Sequence, residues 1–170
     1  MFIIRDQKGF SFVETILYVA IVGAAVVGFV TFIISITNTR NKNFVVQEVQ
    51  SNGRVAIDIM SQKIRAADYA LNPSSGNTST TLELVMPGGA DNLVFTVNQG
   101  RLFLIEGGAT STPLTTENVR ISSISFSNLA APGERDNINI EITTEYGMTD
   151  IQSVDFIYSQ DLQTSVVVRN

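Results

Sequence analysis

Apolar and polar positions divide the 170-residue chain into three stretches of different periodicity. From Thr15 to Thr37 the sequence TILYVAIVGAAVVGFVTFIISIT carries no charged residue. At ~1.5 Å per residue this block makes about 34 Å of helix, enough to cross a hydrocarbon core of roughly 30 Å. A cleaved secretory signal fits poorly: its apolar region spans roughly 7–15 residues and a small-x-small site follows, whereas here the block is longer and NTRNKNF follows. A buried helix of a soluble protein also fits poorly, because the remaining chain is too small to surround it. After Arg40 and Lys42, the apolar residues Val45, Val49, Ala56, Met60, Ile64, Ala67 and Leu71 recur at helical spacing, with Gly53 on the same face. Gln47, Glu48, Gln50, Arg54, Asp58, Gln62, Lys63 and Arg65 take the other side. This stripe predicts a helix face packed on a following sheet, with Asn72-Pro73 ending the helix. From Phe10 to Leu71 that helix would run about 93 Å if continuous.

The third stretch has strand periodicity. Ser74 to Ser79 (SSGNTS) reads as a flexible polar connector. Beyond it, β-type runs are expected at Thr81–Met86, Asn92–Val97, Arg101–Glu106, Asn118–Ser127, Asn137–Tyr146, Ile151–Ser159 and Ser165–Arg169. Ile138, Ile140, Ile142, Thr144 and Tyr146 alternate with Asn139, Glu141, Thr143 and Glu145, the pattern of a half-buried antiparallel strand. Val97-Asn98-Gln99-Gly100-Arg101 predicts a hairpin with Gly100 at positive φ. The apolar parity of Val119 and Ile121 changes to that of Ile124 and Phe126 across Ser122-Ser123, which predicts a β-bulge. The fold class expected is α+β: a long N-terminal helix, transmembrane in its lower half and amphipathic in its upper half, packed on an antiparallel β-sheet head.

Composition narrows the chemistry. The chain has no cysteine and no histidine, which removes disulfides, thiolate sites and imidazole catalysis. Its formal net charge is -5, which disfavours nucleic acid as a bulk partner. After Leu71 there are eleven Asp/Glu against four Lys/Arg, in keeping with an exported head. Arg5 and Lys8 precede the apolar block while Arg40 and Lys42 follow it, so charge counting gives no strong orientation. No phosphate-binding GxxxxGK[ST] or GxGxxG loop is present. The acidic turns Gly133–Asn137 and Gly88–Asn92 lack the dense alternating Asp/Asn ligands of an EF-hand loop. Glu141 and Glu145 share a strand face and read as solvated. Arg101, Arg120, Arg135 and Arg169 are scattered in sequence, so no basic strip for DNA is expected.

Glu14 stands out, because the apolar run continues on its N-terminal side to Phe10. A carboxylate at a helix centre in lipid costs on the order of 2.5–3.5 kcal/mol, and less near the helix end. Either Glu14 stays solvated at headgroup level or a cation meets it, and the span itself supplies no Lys or Arg. A free α-amine created nearby would serve.

Lys8-Gly9-Phe10-Ser11-Phe12-Val13-Glu14, followed at once by an apolar helix, resembles the class III signal of type IV pilins and type II secretion pseudopilins. In that family a membrane peptidase cuts after the glycine and N-methylates the new first residue. The resemblance implies a leader from Met1 to Gly9, cleavage at Gly9–Phe10, methylation of Phe10, and a docking role for Glu14. It covers about the first forty residues firmly. Thr31 stands where many major pilins carry proline, and the chain cannot form the disulfide common in major pilins. Both departures point to a minor pilin or pseudopilin. RLFLIEGGATSTPLTTENVRISSISFS and TSVVVRN resemble J-type pseudopilins and W-type minor pilins.

The roles so implied are physically reasonable. An α-amine titrates ordinarily near pH 7.7. At about 4 Å and an effective dielectric of ~20, it attracts a carboxylate by roughly 4 kcal/mol. Ala20, Ala24 and Gly28 lie at four-residue spacing, the small-residue arrangement that lets membrane helices pack closely. The chain so read divides into a leader (1–9), a transmembrane or filament-core helix (10–37), its amphipathic continuation (38–72) and an exported β-rich head (73–170). The expected function is that of a structural filament subunit rather than an enzyme, with no cofactor, metal or nucleic acid. Its expected partners are prepilin peptidase, other pilin or pseudopilin subunits and the inner-membrane assembly platform. The expected location is the inner membrane, with the head exported, and then a pilus or pseudopilus. The alternative is a single-pass, membrane-anchored β domain that binds a ligand and never polymerises.

Overall fold

The computed structural model describes residues 9–89, 92–108, 110–147 and 158–169. The chain forms two compact units, Met1–Asn41 and Lys42–Asn170. A single helix, α1 (Phe12–Ala66), contributes to both. In the first unit every described residue is exposed. In the second, α1 buries Val45, Val49, Asn52, Gly53, Ala56, Met60 and Ile64, so the amphipathic stripe faces a core as its spacing requires.

Nine strands follow among the described residues: β1 (Tyr69–Asn72), β2 (Thr78–Ser79), β3 (Leu82–Val85), β4 (Leu93–Asn98), β5 (Arg101–Glu106), β6 (Thr110–Pro113), β7 (Val119–Asn128), β8 (Asn137–Tyr146) and β9 (Ser159–Val167). They pair antiparallel in two sheets, ordered β1-β3-β4-β5-β6 and β2-β7-β8-β9. The Ile121 amide donates to the Gly100 carbonyl at 2.7 Å, joining the sheets at the β4–β5 turn. Leu82, Leu84, Phe95, Leu102, Phe126, Ile138 and Ile140 are fully buried with Met60 and Ile64 of α1 in one core. Each such side chain contributes about 1.5–3 kcal/mol by leaving water, so this core dominates the stability of the second unit. The fold is α+β, a helix packed on antiparallel sheets.

The β4–β5 hairpin forms with Asn98 opposite Arg101, and both turn residues have positive φ, Gln99 at 51° and Gly100 at 76°. This is a type I′ turn, whose twist suits a two-residue hairpin. The β7–β8 register shifts between Ile121 and Ser123, so Ile121 and Ile124 both face the core. The bulge is where the parity change requires it. In β8, Ile138, Ile140, Ile142 and Thr144 are buried.

Several expectations need correction. The helix ends at Ala66, not at Leu71. Asp68 donates its amide to the Val85 carbonyl at 2.8 Å, and Tyr69–Asn72 then pairs with β3. Ala70 donates to Asp136 Oδ2 at 2.8 Å. Sheet pairing thus takes over the backbone four residues before the proline, and Ala70 rather than the 49% exposed Leu71 is buried. Nor is Ser74–Ser79 a free connector. Thr78 and Ser79 pair with Ser127 and Phe126, and Asn77 and Gly76 exchange backbone bonds with Asn128. Strand β6 was not expected, and β9 begins at Ser159 instead of Ser165. The expected run Ile151–Ser159 lies mostly outside the described residues, as do Met1 to Lys8 of the leader.

Candidate functional site: the apolar segment and its carboxylate

Helix α1 begins after Ser11, whose carbonyl accepts the Thr15 amide at 3.1 Å. Ser11 is therefore the N-cap residue and Glu14 the third helical residue. Ser11-x-x-Glu14 has the spacing of a capping box, a pattern present in the sequence itself. A carboxylate in the first turn also complements the positive end of the helix dipole. Glu14 is exposed, and no described residue bonds or pairs with its side chain.

Gly9 and Phe10 precede the helix in non-helical backbone and are exposed. A Cβ at Gly9 would meet nothing within 4 Å. The Phe10 ring meets Tyr18 edge-on, with centroids 6.4 Å apart and an interplanar angle of 83°. Glu14 and Tyr18 are one turn apart on one helix face. The aromatic contact thus keeps residue 10 beside the face that carries the carboxylate.

The span itself is long and apolar enough to cross a membrane, and its most apolar window is 0% buried. Glu14 is the sole charged residue from Gly9 to Thr39. The hydroxyls of Thr31, Thr37 and Thr39 donate to the carbonyls of Val27, Ile33 and Ser35 at 2.9–3.0 Å. A hydroxyl satisfied by its own helix removes the penalty it would otherwise incur in hydrocarbon. At Thr31 the helix continues without interruption. Ala20, Ala24 and Gly28 are exposed, and a Cβ at Gly23 or Gly28 would meet nothing within 4 Å.

The remaining polar candidates lie in the second unit. Asp136, in the acidic turn Gly133–Asn137, accepts hydrogen bonds from Asn128 Nδ2 (2.7 Å) and the Ala70 amide, so its carboxylate fastens strands. Glu141 accepts from Asn139 and Gln163 on an exposed sheet face. The turn Gly88–Asn92 includes residues outside those described. Among the described residues no group of three or more acidic side chains is placed to hold a metal ion. Of the four head arginines, Arg101 and Arg120 line one depression, which linear spacing concealed.

Neither family models nor curated proteins nor solved structures give a match to this chain. A single apolar N-terminal helix and an antiparallel two-sheet unit are compatible with a pilin-like architecture.

Proposed function

We propose that the chain is a structural subunit, a minor pilin or pseudopilin, of a type IV pilus, competence pilus or type II secretion pseudopilus. In this reading it inserts in the inner membrane with its head exported, is cut by prepilin peptidase after Gly9, and is N-methylated at Phe10. It then assembles through α1 with other subunits on the membrane platform. The observation that carries the reading is the exposed apolar segment of α1, in which Glu14 is the sole charged residue up to Thr39 and shares a helix face with Tyr18, the ring that Phe10 meets; cleavage would turn Phe10 into a positive chain end. An incoming subunit's amine meeting a resident Glu14 neutralises both charges as they leave the headgroups and sets the register of docking. The exposed Ala20, Ala24 and Gly28 supply a face for close helix packing.

Co-expression with a prepilin peptidase, followed by mass analysis of the N-terminus, tests this function. A mature chain beginning at methyl-Phe10 is expected. Retention of Met1 to Gly9 in cells that process other prepilins would leave the membrane-anchored binding domain as the better reading.

A further inference from the structure

We propose that Arg101 and Arg120 form a binding site for a phosphate-type oxyanion in the Lys42–Asn170 unit. Both line a depression of about 380 Å³ together with Gln99, Gly100, Glu117 and Gly147. The two glycines make the bed on which Arg120 lies. A Cβ at Gly100 would fall 2.7 Å from Arg120 Cγ and 2.9 Å from its Nε, and one at Gly147 would fall 2.8 Å from its Cβ. Any larger residue at either position would push the side chain out of the depression.

The two guanidinium groups are incompletely met. Arg101 lies 5.7 Å from the centroid of the Phe103 ring and donates from Nη2 to the Thr115 carbonyl at 3.3 Å. Its Nη1 is 3.6 Å from Glu117 Oε1, beyond hydrogen-bond reach, and the Glu117 side chain is 87% exposed. Its Nε is buried with no hydrogen-bond partner. Arg120 makes no hydrogen bond or ion pair among the described residues, although Glu145 stands opposite it in the β7–β8 ladder. Two cations thus line one depression of a net-negative chain, with the loosely held Glu117 beside Arg101 and Glu145 opposite Arg120 in the ladder. Donors from two strands, Nη1 of Arg101 and the guanidinium of Arg120, suit a tetrahedral anion, whose oxygens can accept from both, better than a planar carboxylate, which occupies one fork. Glu117, solvated and weakly held, swings aside when such an anion arrives.

Thr116, next to Glu117, donates its amide to Asn52 and its hydroxyl to Glu48, so the loop that carries Glu117 is tied to α1 within this unit. A lipid phosphate and free phosphate are both sources of the same chemistry. The lipid source rests on the membrane-inserted reading above, whereas the oxyanion site does not.

The test follows arginine Nε–H signals by NMR in the full chain, held in uncharged detergent, as inorganic phosphate is added at constant ionic strength. A saturable shift of the Arg101 and Arg120 signals is expected, with Arg101's response lost in Arg120→Gln and the apparent affinity raised several-fold in Glu117→Gln. An unsaturable drift, or an Arg101 response unchanged in Arg120→Gln, would overturn the site. Nanodiscs of phosphatidylglycerol are then compared with nanodiscs of uncharged galactolipid. A shift in phosphatidylglycerol without added phosphate supports the headgroup source, and a shift with added phosphate alone supports the soluble one. No shift with either overturns the proposal. Because the phosphate titration needs no leader cleavage, its outcome is independent of the filament reading.

Discussion

The amide of Thr116 donates to Oδ1 of Asn52 at 2.9 Å, tying the loop after β6 to the middle of α1. Asn52 is a buried polar residue on an otherwise apolar helix face, and its Nδ2 donates to the Glu48 carbonyl at 2.9 Å. The Thr116 hydroxyl reaches Glu48 Oε1 at 2.9 Å, so three side chains close one network. Asn52→Leu removes the acceptor and strands polar groups beside the core, with an expected loss of about 1–3 kcal/mol. Thr116→Ala removes only an exposed hydroxyl bond and should cost less than half as much. Thermal unfolding of the detergent-solubilised chain compares the two.

At the next residue of α1, the absence of a side chain decides the packing. A Cβ at Gly53 would lie 2.5 Å from Leu162 Cδ1 and 3.3 Å from Thr144 Oγ1. Leu162 ends in a mobile methyl that can turn away, whereas Thr144 is fully buried. Gly53→Ala therefore sets a helix-propensity gain of about 1 kcal/mol against displacement of Leu162 and should be nearly neutral. Gly53→Leu should cost about 1–3 kcal/mol through overpacking. A cycle with Leu162→Ala measures the coupling: the double variant Gly53→Leu/Leu162→Ala should be more stable than the sum of the single losses implies.

The β4–β5 turn offers a change of opposite sign. Gln99 adopts φ 51°, a region where an ordinary side chain costs roughly 1 kcal/mol or more and where asparagine is better tolerated. Gln99→Asn should raise stability by a few tenths of a kcal/mol to about 1 kcal/mol. Gly100→Val should lower it by more than 1 kcal/mol, because φ 76° and the Arg120 side chain both oppose a Cβ. Shifts of the thermal midpoint in opposite directions check the pair.

The parts of the fold that could be read from the chain are those where one local rule decides. The stripe from Val45 to Ile64, the alternation in β8, the glycine of the β4–β5 turn and the bulge at Ser122-Ser123 each follow from periodicity or parity. The misread parts depend on partners distant in sequence. Tyr69–Asn72 continues a helical apolar spacing, but β3 and Asp136 offer its backbone other hydrogen bonds. Asn128 looks like a polar strand end, yet it is buried and bonds Asp136, the Pro73 carbonyl and the Ala130 amide. No linear pattern announces such a hub. In the candidate site, the closeness of Gly9, Phe10 and Glu14 follows from the sequence, because they lie within two helical turns of one another. That Arg101 and Arg120 line one depression does not, since it needs the β4–β5 turn to sit against β7.

Two roles for Glu14 can be told apart by one atom. In a capping box with Ser11, a bond that its side chain makes to no described residue here, it would need only an acceptor, which glutamine supplies as well as glutamate. As the partner of a positive chain end it needs a negative charge, which glutamine lacks. Under the filament reading, Glu14→Ala should leave cleavage after Gly9 intact while lowering recovery in sheared filaments several-fold. Gly9→Val should block processing altogether, and normal processing of that variant would remove the assigned cut. The deciding comparison is Glu14→Gln. Recovery as poor as that of Glu14→Ala assigns the effect to charge and supports docking on a neighbouring amine. Recovery near that of the unmodified chain would show that Glu14 serves α1 as a cap, and the electrostatic account of assembly would then have to be given up.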